Sequence, residues 1–137
     1  NKNKMKKFKV TTLAVLIMML FLACKKQEGT GGRATIKGKI WVEDWSTGFM
    51  VKNGEYAGAD EDVYIIYGDA VSYGDKIKAS YDGQFEFNYL RTGKYKIYVY
   101  SKDKTLQSQS GDTAFVKEIE ITSRKQTVTL DQITIYK

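Results

Sequence analysis

From residue 34 onward, apolar side chains return at every second position in short runs, and this period of two constrains the fold more than any other feature. Ile36, Gly38, Ile40 and Val42 share one face of a run whose other face carries Thr35, Lys37, Lys39 and Trp41. Phe85 and Phe87 alternate with Gln84, Glu86 and Asn88, and Ile119 and Ile121 with Glu118 and Glu120. Tyr95, Ile97 and Val99 alternate with Lys94, Lys96, Tyr98 and Tyr100. Successive side chains of a strand point to opposite faces, so each run reads as a strand with one face in a core and one toward solvent. Gly, Asp, Asn and Ser separate the runs as turns require, and no window of helical spacing competes with them.

Strands are expected at about 34–43, 62–68, 75–81, 84–89, 94–101, 114–121 and 126–136. The second of these, DVYIIYG, is apolar on both faces and belongs in the middle of a sheet. In the last, Val128 and Leu130 have even parity while Ile133 and Ile135 are odd. A one-residue slip at Asp131–Gln132 would otherwise turn the core face outward, so a bulge is expected there. About seven short antiparallel strands over 33–137 predict an all-β, two-sheet sandwich.

The other end has a different texture. Lys2, Lys4, Lys6, Lys7 and Lys9 precede an uncharged stretch of 14 residues, Val10 to Ala23. That stretch is shorter than the roughly 20 residues of a membrane-spanning helix. A basic region, a short apolar region and a small residue before a cut describe a secretory signal peptide over 1–23, with Met5 the expected initiator. The only cysteine, Cys24, follows directly, and Phe21-Leu22-Ala23-Cys24 resembles the lipobox of bacterial lipoproteins. The resemblance implies a diacylglyceryl group on the Cys24 sulfur, palmitate among its acyl chains, and cleavage that leaves Cys24 at the new N-terminus. Two or more acyl chains hold a protein stably to a membrane. Residues 24–32, with KKQEGTGG after the cysteine, read as a flexible tether. Lys25 stands where an aspartate would signal inner-membrane retention, so an outer membrane is expected.

Removing residues 1–23 takes away five of the 22 basic residues and none of the 16 acids, so the net charge falls from +6 to +1. The remaining chain shows no basic stripe for nucleic acid. One cysteine excludes an intrachain disulfide, and about 114 residues can bury a core without one.

The stretch SYDGQFEFNYLRTGKYKIYVYSKD, Ser80 to Asp103, resembles the transthyretin-like, or carboxypeptidase regulatory-like, β-sandwich family, whose signature runs D/N-G-x-F-x-F-x-x-L-x-x-G-x-Y-x-I-x-V. Asp82 and Gly83 match its hairpin turn, Phe85, Phe87 and Leu90 its first core strand, Gly93 the next turn, and Tyr95, Ile97 and Val99 the strand after. Ile36 to Ile40, Gly58 to Val63 and Val128 to Ile135 fit the first, second and last strands. The resemblance implies a prealbumin-like Greek key. Two features depart from it. Ala79 and Ser80 stand where the family has Thr-Asp, and the segment Glu43 to Glu61 is longer than the family needs.

The chain has no histidine, which removes the commonest general base and any triad built on one. It also sets the chain apart from the hydroxyisourate hydrolases of that fold, whose sites use histidines. No catalytic residue, cofactor or metal ligand is assigned. Asp60, Glu61, Asp62, Asp69 and Asp75 gather near strand ends without EF-hand spacing, and read first as solvated turn acids. Three expectations follow. The first is a non-enzymatic, membrane-anchored envelope lipoprotein acting as a binding or assembly module, with an envelope protein or glycan as partner. The second is a carbohydrate- or peptide-binding protein using Trp45, Phe49 and Tyr56 in the aromatic loop 43–61. The third is a calcium-stabilised structural domain. Tyr64, Tyr98, Tyr100 and Trp41 fall on outward strand positions, where aromatic faces suit sugars and interfaces but also pair across strands.

Overall fold

The computed structural model describes residues 27–137. Residues 1–26 lie outside the described residues, and with them the expected signal peptide and Cys24. The strands are β1 (Thr30–Trp45), β2 (Lys52–Ala57), β3 (Asp62–Tyr67), β4 (Asp75–Lys78), β5 (Gln84–Leu90), β6 (Gly93–Lys102), β7 (Asp112–Ile121), β8 (Thr127–Thr129) and β9 (Ile133–Tyr136). They form two sheets facing each other across one core, an all-β sandwich.

The first sheet is built around β1. On one side β1 pairs antiparallel with β5 along its first part and with β2 along its last. The changeover is at Ile40, whose amide donates to the Gly83 carbonyl (2.8 Å) and whose carbonyl accepts from the Gly58 amide (3.0 Å). On the other side lie β8 and then β9, both parallel to β1. The second sheet is antiparallel throughout, in the order β4-β3-β6-β7. Ile36, Ile40 and Val42 of β1 meet Val63 and Ile65 of β3 and Tyr95, Ile97 and Val99 of β6 in the core. Their parity is the one the alternation predicts, because burying apolar surface fixes which face turns inward.

Several expectations are corrected by this arrangement. There are nine strands rather than about seven, and the sandwich is not wholly antiparallel. The run at 126–136 is two strands, and the slip expected at Asp131–Gln132 is present. Thr35 is opposite Thr127 but Ile40 is opposite Ile133, so the register advances by one residue between β8 and β9. The segment 43–61 is not a loop either. It holds the end of β1, a 3₁₀ turn at Thr47–Phe49 and all of β2. Residues 29–32, expected within a flexible tether over 24–32, are part of the fold instead, since β1 begins at Thr30 and the chain is fixed at Gly29. The Gly29 amide donates to the Tyr95 hydroxyl (3.0 Å), and its carbonyl accepts from the Arg91 amide (2.9 Å). Glycine-rich sequence here serves close approach rather than flexibility. A Cβ on Gly32 would run into the Leu90 carbonyl.

The turn at Asp82–Gly83 is present but closes no hairpin, because β4 belongs to the second sheet and β5 to the first. It carries the chain from one sheet to the other, and Ser80 holds it. The Ser80 hydroxyl donates to Asp82 Oδ1 (2.6 Å), and the Gly83 amide donates to the Ser80 carbonyl (2.8 Å). Gly83 has a φ of +80°, which a side chain rarely adopts.

Candidate functional site

The outward face of the second sheet carries the largest group of paired rings. Tyr64 on β3 and Tyr98 on β6 are directly opposite each other, and their rings stack in parallel with centroids 4.7 Å apart. Tyr100, two residues further along β6, meets both edge-to-face, at 5.6 Å from Tyr64 and 5.7 Å from Tyr98. Tyr73, from the connection between β3 and β4, packs edge-to-face on Tyr64 at 5.2 Å. Tyr64 and Tyr98 are thus the half-buried inner pair, while Tyr73 and Tyr100 remain 50% and 57% exposed. Val116 of β7, opposite Tyr98, extends the exposed apolar surface.

Charges frame these rings. Lys76 Nζ sits 5.8 Å from the Tyr64 ring centre and 3.3 Å from Asp62 Oδ2. The hydrogen bond to Asp62 pushes the Lys76 ammonium up, so it stays charged. Burial among neighbouring rings pushes the Tyr64 and Tyr98 phenols up as well, and they remain proton donors at neutral pH. Beside Tyr64 and Tyr100 lies a hollow of about 430 Å³ lined by Asp60, Glu61, Asp62 and Lys137. Rings, carboxylates and ammonium groups therefore meet on one rigid face.

The expected aromatic group of segment 43–61 forms only in part. Trp45 and Phe49 do come together, with ring centres 6.2 Å apart. Their third ring is Tyr136 of β9, 6.0 Å from Phe49, and not Tyr56. Tyr56 stands opposite Val42 on the edge strand β2 and is 48% exposed. Lys104 Nζ lies 4.1 Å from the Trp45 ring centre and 4.8 Å from that of Tyr136, so a face of each ring is already occupied. The Trp45 indole donates to Glu43 Oε2 (3.1 Å), and that bond, more than Lys52 nearby, holds the Glu43 carboxyl below its usual range. This group closes the end of the first sheet. Tyr73, by contrast, could not be found from the sequence, since it lies in an irregular connection without strand parity.

The turn acids are spread out, and three of the five, Glu61, Asp62 and Asp75, are engaged. Glu61 pairs with Lys137, Asp62 with Lys76 and Lys78, and Asp75 Oδ1 accepts from the Lys76 amide. Lys78 Nζ is 3.7 Å from the buried Asp62 Oδ1, a charge contact rather than a hydrogen bond. Among the described residues, no three His, Cys, Asp or Glu side chains are placed to hold a metal ion together.

No protein-family model matches the chain, and no curated protein matches it. Among solved structures it is similar to a candidate carbohydrate-binding protein from Pseudomonas aeruginosa, with 11% identity and a TM-score of 0.44 over 85% of this chain and 94% of the other. It is also similar to (S)-allantoin synthase, with 9% identity and a TM-score of 0.44 over 78% of this chain and 43% of the other. Neither likeness is close enough to transfer a fold family or a ligand.

Proposed function

We propose that this protein is a non-catalytic binding module of a bacterial envelope, anchored through a lipid on Cys24 in the outer membrane, whose recognition surface is the tyrosine face of the second sheet. Carbohydrate is the ligand class that this surface suits best. The observation that carries the reading is the pair of half-exposed rings, Tyr73 and Tyr100, held by the stacked Tyr64 and Tyr98 beside a hollow lined with carboxylates. Aromatic faces pack against the apolar C–H faces of sugar rings, while phenols, carboxylates and ammonium groups exchange hydrogen bonds with sugar hydroxyls. A rigid sheet holds those groups in place before the ligand arrives, which lowers the entropy lost on binding.

The absence of histidine and the engagement of Glu61 and Asp62 by lysines support a role without catalysis. The resemblance of 80–103 to carboxypeptidase regulatory-like sandwiches fits an accessory domain. The tyrosine face is favoured over Trp45 and Phe49 because Lys104 already covers ring surface in that group.

A glycan array followed by calorimetry tests the reading. Wild-type protein should bind at least one glycan class, and the Tyr73→Ala/Tyr100→Ala double variant should lose at least about tenfold in affinity, at a stability cost of about 0.5 kcal/mol per exposed site. Binding that survives both substitutions, or a protein partner captured in place of any glycan, would overturn the carbohydrate assignment.

A further inference from the structure

A second surface lies where the chain enters the fold. Thr30 and Ala34 of β1 both pair with Leu90, so Gly31, Gly32 and Arg33 bulge out of the sheet between them. With the turn between β5 and β6 and the turn between β7 and β8, this bulge encloses an open hollow of about 430 Å³. Its charged lining is Arg33, Arg91, Arg124 and Lys125, all exposed, and no carboxylate lines it. None of the four makes a salt bridge among the described residues, and residues 1–26 contain no acid that could supply one. Glu28, five positions before Arg33, packs beside Gly68 and Gly93 instead. From residue 24 on the net charge is +1, so without these four residues the rest carries −3. Such a separation of charge orients a molecule in a field.

The same end is where the described chain begins, at Gln27, three positions after Cys24 in the sequence. Gly29 is buried and fixed to Tyr95 and Arg91, and it follows the cysteine by five positions in the sequence. At about 3.5 Å per extended residue, the entry point lies within roughly 18 Å of whatever holds Cys24. We propose that the Arg33–Arg91–Arg124–Lys125 hollow docks on the phosphates of anionic phospholipid headgroups in the membrane that holds the anchor. The distance rests on the lipid-anchor reading of Cys24, whereas the charge and shape of the hollow do not. Guanidinium groups fork onto phosphate oxygens, and basic residues close to an anionic surface each strengthen attachment about fivefold. Docking would fix the domain's orientation rather than leave it swinging on its tether.

The test uses the full lipoprotein reconstituted in phosphatidylcholine vesicles with and without phosphatidylglycerol, read by amide hydrogen exchange. Exchange at 31–33, 91–92 and 123–126 should slow by about tenfold or more when phosphatidylglycerol is present, and high salt should reverse it. Arg124→Gln/Lys125→Gln, on an exposed turn, should cut that protection about tenfold with an unchanged melting temperature. Arg33→Gln/Arg91→Gln should do the same from the other side of the hollow. Equal exchange in both vesicles, or a double variant that behaves as wild type, would overturn the docking. Retention on the neutral vesicles reports the anchor separately. Its loss would overturn the Cys24 reading, while the phosphatidylglycerol difference would still decide the docking.

Discussion

Asp103 is a carboxylate with only 6% of its surface exposed, and it stays charged because four donors meet it. The Thr105 hydroxyl and the amides of Thr105, Gln107 and Ser108 all donate to its two oxygens. Chiefly the Thr105 hydroxyl, and then the amides, hold the Asp103 carboxyl down at about 2, against 3.8 for a free aspartate. A carboxyl depressed in the folded state contributes stability that is complete above the unfolded value and lost as pH falls through the folded one. This contribution is therefore present above about pH 4 and disappears toward pH 2. Melting curves of wild type and Asp103→Asn should differ most above pH 4 and converge as pH approaches 2. A constant gap across that range would show that the loop does not depend on the charge. Gly83 gives a second residue-scale expectation. Its positive φ and the Ile40 carbonyl beside it leave no place for a branched side chain. Gly83→Val should cost about 2–4 kcal/mol in chemical denaturation.

At the scale of elements, β1 organises the first sheet because its 16 residues are long enough to take two partners on each side. Its inward parity was legible in the sequence, as were the tight turn at Asp82–Gly83 and the slip that divides β8 from β9, but that the turn joins two sheets instead of closing a hairpin was not. Strand β2 was not. Lys52–Ala57 has no alternating apolar face, and its pairing with the end of β1 comes from tertiary context. The parallel direction of β8 and β9 was equally hidden, since periodicity reports faces and not neighbours. For the site, Tyr64, Tyr98 and Tyr100 could be placed outward by parity, whereas the ring pairing of Trp45 with Tyr136's cluster depended on the chain's return along β1. That cluster makes its own test. Trp45→Ala should cost about 1–3 kcal/mol, between an exposed and a buried residue, because the ring is partly covered. A double-mutant cycle with Lys104→Ala should show coupling of about 0.5–1 kcal/mol from the ammonium over the indole. Additive losses would mean that the contact contributes nothing.

Across the whole molecule, the two proposed surfaces lie at different places along the same sheets. Gly29 and the basic hollow are at the end where β3 finishes and β6 begins, beside Tyr67, Gly68 and Gly93. Tyr64, Tyr98 and Tyr100 lie further along the strands, so on a domain seated on its basic end the tyrosines would stand off the surface it sits on. The anchor reading has a direct expectation: Cys24→Ala should turn a detergent-extracted, acylated protein into a soluble or uncleaved one, seen by fractionation and intact mass. The reading of the tyrosine face is tested most directly by a nuclear magnetic resonance titration with a glycan identified on the array. Saturable shifts concentrated at Tyr64, Tyr73, Lys76, Tyr98 and Tyr100 are expected. Shifts confined to Trp45, Phe49 and Tyr136, or none that saturate, would contradict it.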